Sequence, residues 1–189
     1  MSNAETSPAQ SPAVLPARMF DLLVQVLGQR REDIAHYVAT GASFESWIQW
    51  EWYAAAARIA EWKAKREPPY SRHSLVGPSP LARGDLFLAD KAGQRVWIEL
   101  GLVHDWTSAK WYYEEGKLHD DRQRLKLNVG KGIDLMQVIV VASKKQVASN
   151  ERWMVPLRRS GCWDVAPDYG GTIPMWPAGE IMIAGWLIR

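Results

Sequence analysis

The pattern of apolar and polar positions predicts helices at the start of the chain. Apolar residues recur at helical spacing from Pro16 to about Ile34, which predicts a first helix. A second, longer helix is predicted from Phe44 to about Lys65. Ser43 can cap its start, the run Ala54–Ala57 favours helix, and Pro68–Pro69 ends it.

Two apolar runs joined by a short polar turn predict a β-hairpin. The first run is Arg83–Leu88, the reversal is Asp90–Gln94, and the chain returns through Arg95–Val103. Asp85 opens the first run and Glu99 lies inside the second. The two carboxylates can therefore lie close together near one end of the hairpin.

The remainder of the chain alternates between helical and extended patterns. A helix is predicted from Lys117 to about Leu127, followed by a Gly-containing turn over residues 128–134. The continuous apolar run Leu135–Ala142 is typical of a buried central strand. Another helix at about 145–159 and one or two strands within 163–188 complete the pattern. This order predicts an α/β fold with a mixed central β-sheet flanked by helices.

Composition places the chain among single-domain globular proteins. It has 189 residues, of which 47% are hydrophobic, enough for one core. Residues 1–16 read as a disordered lead-in and residues 17–189 as one domain. The single Cys162 excludes an internal disulfide framework, and the longest apolar run is shorter than the ~20 residues of a membrane span. We therefore expect a cytoplasmic protein without a membrane partner.

Neither the charge nor the aromatic content shows whether the binding partner is nucleic acid or protein. The formal net charge of +2 does not by itself call for nucleic acid. The chain has eleven tryptophans, which suit core filling first and ligand contact second. Trp106 and Trp111, in the polar loop after the Glu99 strand, are the best candidates for contacting a ligand. Such residues can stack on bases, but they serve protein interfaces equally well.

The acidic pair resembles a motif of the metal-dependent nuclease superfamily known as PD-(D/E)xK, which includes many restriction endonucleases. In that motif an Asp begins one strand, and a Glu-x-Lys or Asp-x-Lys lies in the next. Asp85 and Glu99 match the acids, but Gly101 stands where the motif has Lys. The order of elements over about residues 44–160 is also similar, which implies a restriction-endonuclease-like core.

The resemblance implies a Mg²⁺ or Mn²⁺ site, in agreement with the preference of hard cations for oxygen ligands. Asp85 and Glu99 would hold the cation, and the backbone carbonyl of Leu100 would be a third oxygen ligand. Members of the superfamily often add a Glu from the helix before the sheet. Glu51 is the best match, Glu45 is the alternative, and an ion pair with a neighbouring Arg is the other explanation of Glu51.

Because Gly101 cannot supply a cation, an active enzyme of this kind needs a Lys from elsewhere. Lys110, Lys117 and Lys126 are the candidates, and the last two lie on the helix predicted after the hairpin. Together with Arg124 these lysines can also form a face that contacts DNA phosphates. The alternative for each is a solvated surface side chain.

Acidic residues are interleaved with these cations, which weakens the nucleic-acid interpretation. Asp120 and Asp121 are expected to form solvent-facing pairs with Arg124. Three functions remain open. The chain is a Mg²⁺-dependent phosphodiesterase acting on DNA, a catalytically inactive relative that binds a protein as an immunity or regulatory module, or an unrelated α/β protein.

Overall fold

A computed structural model describes residues 14–70, 83–104, 116–144, 166–175 and 179–188 of the chain. These residues form four helices and six strands around one sheet. In chain order the elements are α1 (Leu15–Gln29), α2 (Arg31–Thr40), α3 (Glu45–Ala57), β1 (Trp62–Arg66), β2 (Leu86–Asp90), β3 (Arg95–His104), α4 (Lys117–Asn128), β4 (Asp134–Ser143), β5 (Tyr169–Pro174) and β6 (Glu180–Leu187).

The sheet is mixed, as the sequence predicts. Its strand order is β1-β2-β3-β4-β6-β5. The first three strands form an antiparallel meander, β3 and β4 run parallel, and β6 is antiparallel to both β4 and β5. The segment that joins the parallel pair contains α4. Since β3 and β4 are buried along nearly their whole length, they form the centre of the sheet.

Helices pack on both faces of the sheet. Successive side chains of a strand point to opposite faces, so Ile98 and Trp97 belong to different layers. Ile98 lies in the main core with apolar residues of α1 and α3, such as Leu23 and Trp52. Trp97 lies in a smaller cluster with Leu125 of α4. The sheet is therefore covered by α1 and α3 on one face and in part by α4 on the other.

Two predicted helix boundaries are wrong. The first predicted helix is divided at Arg30, where α1 ends and α2 begins. The second ends at Ala57, and Trp62–Arg66 forms the edge strand β1. Its five residues pair with β2, and Trp62 turns into the core while Lys63 faces solvent. Strand pairing here overrides the helical preference of the alanine run before it.

The other predicted elements within the described residues are confirmed. The hairpin turns through Asp90, whose amide donates to the carbonyl of Gln94 at 3.0 Å, and Gly93 has a φ of +82°. The predicted helix at 145–159, the N-terminal lead-in and residues 163–165 lie outside the described residues. None of the described helices is long and apolar enough to span a membrane.

Candidate functional site

The candidate site lies where β3 extends beyond its partner β2. The pairing of these strands ends at Ile98, whereas β3 continues alongside β4. Backbone amides beyond that point are capped by carboxylates instead of by a strand. The amide of Leu100 donates to Asp85 Oδ2 at 2.6 Å, and the amide of Leu102 donates to Glu45 Oε2 at 3.0 Å. Two acidic side chains are thereby fixed against the central strand.

Asp85 and Glu99 are brought together, as the hairpin predicts. Their carboxyl groups are joined by a hydrogen bond. Burial, followed by the negative charge of Asp85, raises the pKa of Glu99 well above its ordinary value, and Glu99 is only 3% exposed. Burial also raises the pKa of Asp85. The pair therefore retains a proton at a pH where isolated carboxyl groups are ionised.

Two further side chains orient the pair. Gln49 of α3 donates from Nε2 to Asp85 Oδ1 at 2.8 Å. The hydroxyl of Tyr70 donates to Glu99 Oε1. Burial and the neighbouring Glu99 raise the pKa of Tyr70, so this hydroxyl stays neutral and remains a donor. Both carboxyl groups are thus held in one orientation by neutral donors.

Lys117 of α4 brings a positive charge to the same place. Its ammonium group pairs with Glu45 Oε1. Burial alone would lower the pKa of Lys117, but the carboxylates of Glu45, Asp121 and Asp85 together raise it above its ordinary value. Lys117 is therefore charged and lies within the electrostatic reach of Asp85.

Gly101, at the position of the motif lysine, is covered by the helix that carries Lys117. A Cβ atom added to Gly101 would overlap Cδ2 of Leu118, which is fully buried. A larger side chain at this position requires α4 to move or Leu118 to rotate. A side chain at position 101 would therefore enter space that Leu118 fills, and Lys117 is the neighbour of Leu118 on α4.

Asp121 corrects a prediction, because it is buried and does not face solvent. It is 2% exposed and lies on the side of α4 that also carries Leu118 and Leu125. Oδ1 accepts a hydrogen bond from Arg124, while Oδ2 is buried and has no hydrogen-bond partner among the described residues. Burial raises the pKa of Asp121 to about 7, although Lys117 and Arg124 oppose the rise.

Glu51 is not part of this cluster. It forms an ion pair with Arg30 at the end of α1, with Oε2 3.3 Å from Arg30 Nη2. Glu51 is two positions after Gln49, and at 3.6 residues per turn the two side chains leave α3 on nearly opposite sides. The ion-pair explanation of Glu51 is the one that the structure supports, and Glu45 takes the place near Asp85.

The remaining predicted residues are distributed as follows. Lys126 is exposed and lies about two and a half turns after Lys117, on the other side of α4. Arg124 pairs with Asp121 and is 42% exposed. Lys110, with Trp106 and Trp111, lies outside the described residues. Leu100 contacts Asp85 through its amide, and the role of its carbonyl as a metal ligand stays a prediction.

The sequence held a signal for some of the residues that were missed. Glu45 and Gln49 are four residues apart, so they share one side of α3 and reach the same strand end. Asp121 shares the spacing of Leu118 and Leu125, which indicates the buried side of α4. No pattern pointed to Tyr70, which is 29 residues from Glu99.

The acidic pair fits a divalent cation by its chemistry. The described residues contain no group of three or more His, Cys, Asp or Glu side chains arranged to hold a metal ion. Asp85 and Glu99 nevertheless place two carboxyl groups against each other at the cost of raised pKa values. A cation between them would replace the shared proton and remove their repulsion.

Comparisons with known protein families, with curated proteins and with solved structures found no match to this chain. The functional proposal therefore depends on the residues and topology described above.

Proposed function

We propose that this protein is a metal-dependent phosphodiesterase of the PD-(D/E)xK type that acts on DNA. Asp85 and Glu99 are the metal ligands, and Lys117 replaces the lysine that Gly101 lacks. The observation that carries the proposal is the close approach of Asp85 and Glu99 where β3 extends beyond β2, with Lys117 held by Glu45 within electrostatic reach of Asp85.

The topology supports the proposal. In the superfamily's core a meander of strands is followed by a helix and a parallel strand. The described chain has the same succession: α3, the antiparallel strands β1, β2 and β3, then α4, then β4 parallel to β3. Asp85 and Glu99 occupy the positions of the two acids in the motif, and Gly101 occupies the position of its lysine. A fold alone does not establish activity, so the site has to carry the argument.

Mg²⁺ or Mn²⁺ is the cofactor that the carboxyl oxygens of Asp85 and Glu99 suit. When bound, the cation would lower the pKa of a coordinated water and stabilise negative charge on the scissile phosphate. Tyr70 and Gln49 hold the two carboxyl groups in position by donating to one oxygen of each. Each oxygen has a second lone pair available to a cation.

Lys117 supplies the charge that the motif lysine would supply. Its ammonium group is held by Glu45, which is itself fixed by the amide of Leu102. This chain of contacts orients Lys117 near the acidic pair without a contribution from Gly101. A fixed cation beside a phosphate stabilises the charge that develops during hydrolysis.

A catalytically inactive, protein-binding relative is the second candidate. The observation that favours it is the capping of strand amides by Asp85 and Glu45. Unpaired buried amides are costly, so both acids have a reason to be present in a protein without catalysis. Under this function the protein would act on a partner protein and would be indifferent to metal.

Calorimetric titration of Mn²⁺ separates the two functions. We expect the parent protein to bind Mn²⁺, and Asp85→Asn and Glu99→Gln to lose binding while remaining folded, since each amide keeps the size of the acid and one acceptor oxygen. Glu51→Gln, an acid outside the cluster, is the matched control and should bind normally. A free Mn²⁺ concentration of about 100 times Kd should raise the free energy of unfolding by ~2.7 kcal/mol.

Cleavage of plasmid and single-stranded DNA tests the activity itself. Lys117→Met should keep Mn²⁺ affinity but lower the cleavage rate by about 100-fold or more. Absence of Mn²⁺ binding by the parent protein would overturn the proposal and favour the inactive relative. Binding of Mn²⁺ without cleavage of either DNA would refute the phosphodiesterase function.

A further inference from the structure

An open groove of about 560 Å³ lies over the edge strand β1, beside the candidate site. This volume is within the range of about 300–1,000 Å³ that holds small-molecule ligands, so the groove can admit a group of nucleotide size. Among the described residues its walls combine cations with aromatic rings, namely Lys65, Arg66 and Arg83 with Tyr53, Phe87 and Trp97.

The charge of the groove is positive. Its lining includes three cations and one carboxylate, that of Glu67. Arg66 pairs with Glu67 and also lies over the ring of Trp50, 4.0 Å from its centroid, and that ring is 52% exposed. Arg83 donates from Nη1 to the carbonyl of Glu67 at 2.8 Å. The guanidinium groups are thus held at the groove by local contacts, and Lys65 is exposed.

Aromatic side chains form a row across the floor of the groove. Lys65, Phe87 and Trp97 are partners in the register of β1, β2 and β3, so they share one face of the sheet. The rings of Phe87 and Trp97 are 5.4 Å apart between centroids. Tyr53 of α3 lines the groove from the other side of β1, on the face of the sheet that α3 covers.

This row leads directly to the acidic pair. Trp97 stacks on Tyr70 with centroids 5.0 Å apart and an angle of 18° between the rings, and the Tyr70 hydroxyl donates to Glu99. Glu99 follows Trp97 by two residues on the same face of β3. Gly84 permits the close packing, because a Cβ atom there would lie 2.8 Å from the Trp97 ring.

We propose that this groove binds single-stranded nucleic acid and directs it toward the Asp85–Glu99 pair. Cations that follow a backbone of phosphates, alternating with rings on which bases stack, are the features of single-strand binding surfaces. A duplex keeps its bases stacked on one another and cannot offer them to Phe87 or Tyr53. The consequence that the enzyme cleaves single-stranded or strand-separated DNA rests on the proposed function, whereas binding itself does not.

Binding is measured by fluorescence anisotropy with a labelled oligothymidylate of about 12 nucleotides, within the usual site size of about 4–16. A duplex of the same length is the competitor, and EDTA removes divalent cations so that cleavage plays no part. We expect the single strand to bind at least about tenfold more tightly than the duplex, with an affinity that falls as salt is raised.

Variants identify the groove as the binding surface. Lys65→Met should reduce the slope of log affinity against log salt by about 0.7, the value for one phosphate contact to a single strand. Lys91→Met, which removes the same charge from the exposed turn between β2 and β3, is the matched control and should leave the slope unchanged. Phe87→Leu should weaken binding by about 5- to 100-fold, as expected for the loss of one stacked base.

The outcomes separate this inference from the proposed function. Equal binding of duplex and single strand, or equal slopes for Lys65→Met and Lys91→Met, would overturn the inference even if the protein cleaves DNA. Absence of nucleic-acid binding would overturn it too, and would leave an extended peptide paired along β1 as the occupant to test. Single-strand binding at the groove without Mn²⁺ binding would sustain the inference and refute only the phosphodiesterase. If Phe87→Leu fails to fold, the salt slopes of the two lysine variants decide.

Discussion

Asp121→Asn should stabilise the metal-free protein at neutral and alkaline pH, because ionising this buried carboxyl group opposes folding. Its side chain is 3% exposed, and burial is the main cause of its raised pKa. Charged and titratable groups face it from its own helix and from three other parts of the site: Lys117 and Arg124 of α4, Glu45 of α3, Asp85 before β2, and Glu99 of β3.

The size of the effect follows from the two pKa values. The carboxyl group loses its proton near pH 3.8 when the chain is unfolded and near pH 7 when it is folded. Between these values the folded protein binds more protons, so the free energy of unfolding falls as pH rises. This contribution is fully present below pH 3.8. The pKa of Asp121 rises from 3.8 to about 7, and at ~1.4 kcal/mol per pH unit this rise corresponds to at most ~4 kcal/mol of folding stability. That stability is lost once the pH exceeds 7.

Urea unfolding of parent and variant between about pH 4 and pH 8, with EDTA present, measures this contribution. The stability of Asp121→Asn relative to the parent should rise steadily with pH, by up to ~4 kcal/mol across that range. Comparison with the parent removes the pH dependence that Asp85 and Glu99 contribute to both proteins. Asp120→Asn, at the exposed neighbouring position, should show a flat difference. A flat difference for Asp121→Asn as well would refute the reasoning.

Two further predictions concern the missing motif lysine and the acid outside the cluster. Gly101→Ala should destabilise the protein by about 1–3 kcal/mol, because the new Cβ atom overlaps Leu118. Leu118→Ala alone should cost about 2–5 kcal/mol, and the double variant should be more stable than the sum of the two predicts; additive effects in urea unfolding would contradict the overlap. Glu51→Gln should change the free energy of unfolding by less than about 1 kcal/mol, since its partner Arg30 is 50% exposed. It should also leave Mn²⁺ affinity unchanged, and a loss in the calorimetric titration would place Glu51 in the site after all.

The elements best predicted from the sequence are those whose pattern of apolar and polar residues is local. The hairpin follows from two apolar runs and a five-residue polar turn, and β4 follows from one continuous apolar run. Trp62–Arg66 was missed because a five-residue edge strand carries little pattern of its own. What makes it a strand is pairing with β2, whose residues lie twenty or more positions further along the chain.

The acidic pair was predictable for the same reason, since a tight hairpin sets the distance between Asp85 and Glu99. Large apolar residues flank Glu51, which favours a metal or cation partner for its carboxylate, but this argument takes no account of helical phase. The helical phase of α3 places Glu45 on the same side as Gln49, whereas Glu51 points toward Arg30. The position of Tyr70 depends on long-range packing against Trp97, which no local pattern records.

The strand β1 bounds the described sheet, and its outer backbone groups have no neighbouring strand among the described residues. Edges of this kind invite pairing between copies of a protein, and charged side chains and prolines discourage it. Lys63 and Lys65 are exposed along β1, and Pro68–Pro69 follows directly. Lys65, one of the residues that make the groove cationic, therefore also protects the protein from self-association, together with Lys63. Apolar substitutions at both positions, made to weaken nucleic-acid binding, would produce a protein that aggregates more readily.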